Sequence, residues 1–260
     1  MKLPLWIVDA FAAAPFTGNP AAVCVADAFP DPGLMQAIAA ENNLSETAFV
    51  VRAGPAWEIR WFTPTVEVGL CGHATLAAAW VIFECVDAGT DRVRFESAGG
   101  PLGARAADGN VVLDFPSRPP EAAADADAVT RALGVTPVSC WRAADNHLAL
   151  LETEAAVAAV VPNQTRVAEL GGTGLIVTAA GDEADFVSRY FAPAAGVAED
   201  PVTGSAHCTL IPFWSRRLGR SALRAYQISA RGGVLHCRDR GERVDIGGPA
   251  RLYLEGRISV

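Results

Sequence analysis

The second half of this 260-residue chain re-uses the pattern of its first half, and that repeat limits the possible folds more than any other feature. Arg60-Trp61-Phe62-Thr63-Pro64 is echoed by Arg189-Tyr190-Phe191-Ala192-Pro193. Gly72-His73-Ala74 and Gly204-Ser205-Ala206 follow, each opening an uncharged run that holds a tryptophan, Trp80 or Trp214. Ser97-Ala98-Gly99-Gly100-Pro101-Leu102 is answered by Ser229-Ala230-Arg231-Gly232-Gly233-Val234-Leu235. Two copies are too few for a solenoid. The expectation is two similar domains, 1–118 and 119–260, that face each other across a cleft of the kind ligands favour. The Ala-, Pro- and acid-rich stretch 117–127 has little to bury and reads as the boundary.

Composition removes several classes of function. A net charge of -8 and a pI near 5.0 argue against a nucleic-acid partner, which demands clustered Lys and Arg. The uncharged run over 74–83 is too short to cross a bilayer, so no membrane partner is expected. Asp9 interrupts the N-terminal segment before a signal-length apolar stretch forms. Six cysteines without a CxxC pair read as free thiols in a reducing cytoplasm.

Along the first half, strands are expected at 6–8, 22–25 and 46–51, followed by the alternation of Trp57, Ile59 and Trp61 against Glu58 and Arg60. Asp31 and Pro32 start a helix whose apolar stripe is Leu34, Met35 and Ile38, and Asn42 and Asn43 suit its left-handed end. Hairpins are expected around Asp108-Gly109 and Arg240-Gly241. The second half has helices near 129–133 and 154–160, and strands at 147–151, 175–178 and 186–191. Two helices stand apart, 74–83 and 204–215, because neither carries a charge. A helix that is apolar all round is enclosed by protein, here by a curved, mostly antiparallel sheet. Pro212 is expected to kink the second one or shorten its first segment.

Both enclosed helices begin at a glycine, and helix starts offer unpaired N–H groups that hold anions. A glycine at one such place alone is a tight turn; two at matching places point to a small carboxylate-bearing ligand. Glu46 opens a strand that is apolar on both faces, so its carboxylate is expected to be buried, with a pKa raised towards neutrality. A capping or salt-bridged glutamate is the commoner reading of an arbitrary Glu. The matching place in the second half, near Gly174-Leu175, has no acid, which favours function. Asp200 also breaks the repeat, although an N-cap or Asx-turn aspartate before Pro201 is plausible by itself. His73 follows its glycine where the second copy has Ser205. Glu46, His73 and Asp200 therefore form an acid/base kit. Ser205 lies outside any G-x-S-x-G elbow.

The other candidates are weaker. Cys71 stands at a helix start, where thiol pKa falls, but the stretch opposite holds Pro201 and no cysteine, so a small buried cysteine is the better reading. His207-Cys208 and His236-Cys237 are adjacent pairs and do not suggest a metal. Residues 171–174 precede a strand and are no dinucleotide fingerprint, and His147 reads as structural.

Asp9-Ala10-Phe11 leading to Pro15-Phe16-Thr17-Gly18-Asn19-Pro20-Ala21-Ala22-Val23 resembles the PhzF phenazine-biosynthesis family. So do Asn43-Leu44-Ser45-Glu46-Thr47-Ala48-Phe49, Arg60-Trp61-Phe62-Thr63-Pro64, Leu70-Cys71-Gly72-His73-Ala74-Thr75-Leu76 and Glu199-Asp200-Pro201-Val202-Thr203-Gly204-Ser205-Ala206-His207. The resemblance implies an α+β fold of two pseudo-symmetric diaminopimelate-epimerase-like domains, each a curved, mostly antiparallel sheet around a central helix. It implies Glu46 as catalytic acid/base, with His73 and Asp200 beside it. Gly72, Gly204, Ser205 and Asn19 make up the substrate-binding set. It also implies a homodimer without cofactor. Cys71 and the Thr75-Leu76-Ala77 continuation are closer to broad bacterial and eukaryotic relatives than to the phenazine enzyme.

The expected function is a cofactor-independent isomerase, without a metal, that moves a proton on a small carboxylate-bearing substrate through Glu46. Two alternatives stay open. One is an amino-acid or hydroxy-acid epimerase with Cys71 and Glu46 as opposed bases; the other is a non-catalytic binder of a small metabolite.

Overall fold

The computed structural model describes residues 1–123 and 125–260; Ala124, inside the expected boundary stretch, lies outside the described residues. The chain divides into two compact units, Met1–Phe115 with Gly247–Val260, and Pro116–Ile246. The first change of unit falls close to residue 118. The second differs from the sequence reading, which carries the second domain through to residue 260. The C-terminal strand, Ala250–Ser259, belongs to the first unit because it pairs antiparallel with the first strand from Lys2 opposite Ser259 to Ala10 opposite Ala250.

The first unit contains β1 (Lys2–Ala10), β2 (Asn19–Ala26), α1 (Pro32–Asn42), β3 (Glu46–Ala53), β4 (Ala56–Phe62), β5 (Glu67–Val68) and α2 (Gly72–Val81). A π-helical turn at Ile82–Val86 follows, then β6 (Arg92–Glu96), β7 (Leu102–Ala107) and β8 (Asn110–Pro116). Neighbours are antiparallel except β2 with β3 and β4 with β6. Parallel neighbours need a crossover, and α1 and α2 supply the two.

Local chemistry sets the ends of α1. The Asp31 carboxylate accepts the Gly33 N–H at 2.8 Å, Pro32 follows it, and Asn43 closes the helix at φ 49° with its N–H on the Ala39 carbonyl. The two helices lie on opposite faces of the strands. Met35, Ile38 and Ala39 of α1 pack with Ala22, Cys24, Phe49 and Phe62. The alternate residues Val23, Ala48, Val50, Ile59 and Trp61 are also buried, on the face that α2 packs against. Every residue of α2 except Trp80 is buried, as its lack of charge requires. At the β7–β8 hairpin, Asp108 and Gly109 both have positive φ, 51° and 74°, which a two-residue type I′ turn demands.

The second unit contains β9 (Glu121–Ala122), α3 (Ala126–Leu133), β10 (Ser139–Ala143), β11 (Asn146–Leu150), α4 (Glu154–Ala158), α5 (Gln164–Glu169), β12 (Gly174–Ala180) and β13 (Phe186–Phe191). After a 3₁₀ turn at Pro193–Ala195 come α6 (Gly204–Leu218), β14 (Ala222–Gln227), β15 (Gly233–Asp239) and β16 (Arg243–Gly248). The parallel pairs recur at the matching places, β11 with β12 and β13 with β14. The duplication is thus one of topology as well as of sequence. Helix α5, which the sequence reading does not include, starts where the Asn163 side chain accepts the Arg166 N–H. Val129, Val157 and Val167 of α3, α4 and α5 pack with Val177, Ala179 and Phe191. On the opposite alternation, the Trp214 indole of α6 donates to Thr178 at 3.0 Å and stacks on Phe186. His147 bridges Asp125 at 2.6 Å and the Leu170 carbonyl at 3.1 Å, a structural role.

Pro212 does not shorten α6, which continues to Leu218. Proline at this position removes the N–H that would reach the Cys208 carbonyl, and the Arg118 N–H takes that carbonyl instead at 2.9 Å. The lost bond is replaced from outside the helix.

The unit also shows why the position matching Glu46 is bare. A side chain on Gly174 would meet the Tyr190 ring at 2.6 Å and the Phe191 carbonyl at 2.7 Å. Tyr190, the counterpart of Trp61, fills that space and donates to Asn146 at 2.8 Å. Gly174→Ala is expected to lower the unfolding free energy by about 1–3 kcal/mol in a urea titration. His207 generates a second expectation. Burial holds this imidazole down to about 4, against a smaller upward pull from the Thr203 carbonyl that its Nδ1–H reaches at 2.8 Å. The unfolded chain takes up that proton near pH 6.5 while the folded chain refuses it, so stability falls as pH drops from about 6.5 towards 4. Between pH 7 and 4.5 the wild-type chain should lose about 2–3 kcal/mol more than His207→Gln.

Candidate active site

The motif shared by both units explains how each glycine-started helix is aimed. Arg60, on β4, grips Glu67 with two hydrogen bonds of 2.7 Å, and Arg189, on β13, grips Glu199 at 2.7 and 2.8 Å. Gly72 follows Glu67 by five residues, and Gly204 follows Glu199 by five. Each arginine therefore ties the strand to the segment that launches the helix. A forked guanidinium–carboxylate pair is specific in direction as well as strong. Arg189 also donates to the carbonyls of Val157, Ala158 and Val160. The equal spacing aligns Cys71 with Thr203, both N-cap residues, which corrects the sequence reading that set Pro201 opposite Cys71.

Within the first unit, five of the expected or weighed residues converge at the start of α2. Glu46 opens β3, with its side chain 18% exposed, and its Oε2 lies 3.1 Å from Nε2 of His73, whose side chain is 4% exposed. The two atoms stand at ion-pair distance, yet both are buried and neither has a hydrogen-bond partner. Asn19, at the start of β2, is fully buried and brings its amide nitrogen to 3.2 Å from Nδ1 of His73. In the neutral ring that amide makes Nδ1 the acceptor and places the imidazole proton on Nε2, towards Glu46. Cys71 Sγ lies 3.6 Å from Nδ1. Gly72 lets the helix begin here, and the Ala74 N–H points at the Cys71 sulfur.

Charge follows the geometry. Burial, the largest influence on His73, disfavours its imidazolium, but the nearness of Cys71 and Glu46 outweighs it, and the ring is held well above its ordinary value. The Cys71 thiol is pushed up to about 11 by burial and by repulsion from Glu46, eased in part by His73. It is a neutral thiol at neutral pH. The sequence reading set Cys71 aside as a small buried residue; it is buried, and it touches His73. One ligand atom each from Glu46, Cys71 and His73 lies within 4.8 Å of the others, a donor set the sequence reading did not assemble.

The remaining expected residues belong to the second unit. Asp200 is half-buried, and its Oδ2 accepts the Thr203 hydroxyl at 2.5 Å. Gln227 organises the turn: its Nε2 donates to the Asp200 carbonyl and to Thr203 Oγ1, and its Oε1 accepts the Thr203 N–H. Thr203 and Gln227 were not singled out in the sequence; the Glu199-to-Gly204 spacing was the available signal for the first. Gly204 is buried at the start of α6, and Ser205 follows it, half-buried.

Comparison with known proteins accords with this construction. The family model described as phenazine biosynthesis-like protein matches residues 8–256. A protein of Pseudomonas aeruginosa named as an uncharacterized isomerase is 55% identical over 99% of both chains. The human phenazine biosynthesis-like domain-containing protein is 40% identical over the full length of both. The crystal structure of a PhzF-family protein from Enterococcus faecalis superposes with a TM-score of 0.96 at 44% identity, covering both chains completely. A hydroxyproline epimerase from Agrobacterium vitis, at 11% identity and a TM-score of 0.64, shares the fold, which is the α+β diaminopimelate-epimerase-like architecture expected from the sequence. No helix among the described residues is long and apolar enough to cross a membrane. With the shared motifs, the duplicated topology and end-to-end similarity in hand, the chain belongs to the PhzF-like, phenazine biosynthesis-like family of isomerases.

Proposed function

We propose that this chain is an isomerase in which Glu46 takes a proton from carbon and returns it to another atom of the same small, carboxylate-bearing substrate, without a cofactor. The observation that carries the reading is the Glu46 carboxylate beside His73 at the start of α2, 3.1 Å from Nε2, in a partly enclosed setting. His73 steadies the carboxylate and offers a proton to charge that develops on the substrate. Asn19, fully buried, acts through His73 by fixing the ring. Gly72 supplies helix-start N–H groups for the substrate's anion. From the second unit we assign Gly204 and Ser205 to the same kind of anion binding, and Asp200 to a polar substituent.

The epimerase alternative fits the geometry less well. Two bases on opposite faces of one carbon, each about 3–3.5 Å from it, stand roughly 6–7 Å apart. The nearest thiol and carboxylate atoms here lie within 4.8 Å. Candidate acids incubated in D₂O and followed by NMR test the proposal. A turned-over substrate should take up deuterium, and Glu46→Gln should slow that by about 10²–10⁴-fold. Undiminished turnover in Glu46→Gln would remove Glu46 from the chemistry. Binding with no turnover by the wild-type chain would leave the metabolite-binding alternative.

The homodimer implied by the family resemblance is assigned to the C-terminal strand, where Leu252, Tyr253 and Leu254 are exposed and Tyr253 sits against exposed Phe16. Sedimentation should give a dimer for the wild-type chain and a monomer for Tyr253→Lys with Leu254→Glu. A dimer that survives both substitutions would place the interface elsewhere.

A further inference from the structure

We propose that Glu46, Cys71 and His73 form a binding site for one thiophilic divalent cation, with zinc the natural occupant, and that the loaded site cannot act as a base. The first observation is spacing: the three ligand atoms lie within 4.8 Å of one another, with Nε2 to Oε2 at 3.1 Å, while Sγ lies 3.6 Å from the other ring nitrogen, Nδ1. Ligands of a tetrahedral zinc at 2.0–2.3 Å stand about 3.3–3.6 Å apart, so the thiol closes the set by turning from Nδ1 towards the nitrogen that faces Glu46.

The second observation is independent of spacing. Nε2 of His73 and Oε2 of Glu46 are buried and neighbouring, yet they do not satisfy each other as a hydrogen bond. Once Nε2 gives up its proton, its lone pair and that of Oε2 can meet on a third atom. A buried side chain with such an unanswered nitrogen is what a ligand-holding imidazole presents.

Charge and chemistry agree with a soft dication. A thiolate and a carboxylate neutralise two positive charges, and the imidazole stays neutral, so the loaded cluster is buried without net charge. A thiolate in the set selects zinc-like ions over magnesium or calcium. Binding replaces the S–H bond with an S–metal bond and the Nε2–H bond of the imidazolium with an N–metal bond, and both protons leave to solvent; no oxidant or reductant is needed. The proton on the imidazole then resides on Nδ1, and Asn19 turns its amide oxygen to that nitrogen, the outer contact that ligating histidines use. The fourth position opens where Glu46 is partly exposed.

A carboxylate bound to a cation accepts no proton from carbon, so the metal is an inhibitor of the proposed reaction. This consequence rests on the Glu46 assignment, whereas metal binding does not. The test uses full-length protein stripped with a chelator and titrated with Co²⁺ at pH 8. Expected are one equivalent bound, a near-ultraviolet thiolate-to-cobalt band, visible bands of tetrahedral intensity and displacement by Zn²⁺. Calorimetry in buffers of different ionisation enthalpy should show between one and two protons released per metal. Cys71→Ser, which keeps a group of similar size, should abolish the near-ultraviolet band, while Cys24→Ala should keep it. Glu46→Gln should weaken affinity by about 10–100-fold. A wild-type chain without the band, or a band that survives in Cys71→Ser, overturns the site. Zinc that binds as described yet leaves turnover untouched overturns the inhibitory role and counts against Glu46 as the base.

Discussion

A helix that links two parallel neighbours and lies against the inner face of their sheet has no side that meets water. That constraint governs both α2 and α6. It forbids charge on them until α6 emerges at Arg216 and Arg217, and it leaves their glycine-started ends as the polar feature of otherwise apolar elements. The chain meets the demand twice with the same topology, placing parallel pairs at β4–β6 and β13–β14. A polar group beside such a helix start is held by a rigid frame instead of a mobile loop. Precise placement of an acid, an imidazole and a thiol follows from that frame.

The Arg–Glu forks complete it. Arg60 with Glu67, and Arg189 with Glu199, pin the segment between strand and helix at a fixed distance from the glycine. The three-residue 3₁₀ turn at Pro193–Ala195 lengthens the second copy without disturbing that distance, because it enters between Arg189 and Glu199, ahead of the five residues that run to Gly204. Around this frame the copies differ in side chains at matched places: Cys71 against Thr203, His73 against Ser205, Trp61 against Tyr190.

Much of this was legible in the residues. The uncharged helices, the caps of α1 and the hairpin at Asp108-Gly109 are local patterns, and they fold as local patterns. The prominence of Glu46 came from its absence in the second copy. What could not be read was convergence. Glu46 and Cys71 are far apart in sequence and lie on different elements, so nothing local says that their side chains share His73. A lone cysteine carries no signal until its neighbours are known. The return of the last strand to β1 is similarly non-local, since alternation describes a strand but not its partner. Helix α5 was overlooked because it is a short segment whose only strong mark is Asn163.

Tyr190 has a consequence for the second half's own repertoire. Its phenol occupies the volume into which an acid at Gly174 would project, so position 174 carries no counterpart of Glu46. A carboxylate there would need a smaller residue at 190 as well, and with it the loss of the bond to Asn146. The two positions are coupled, and no single exchange restores the symmetry of the duplication.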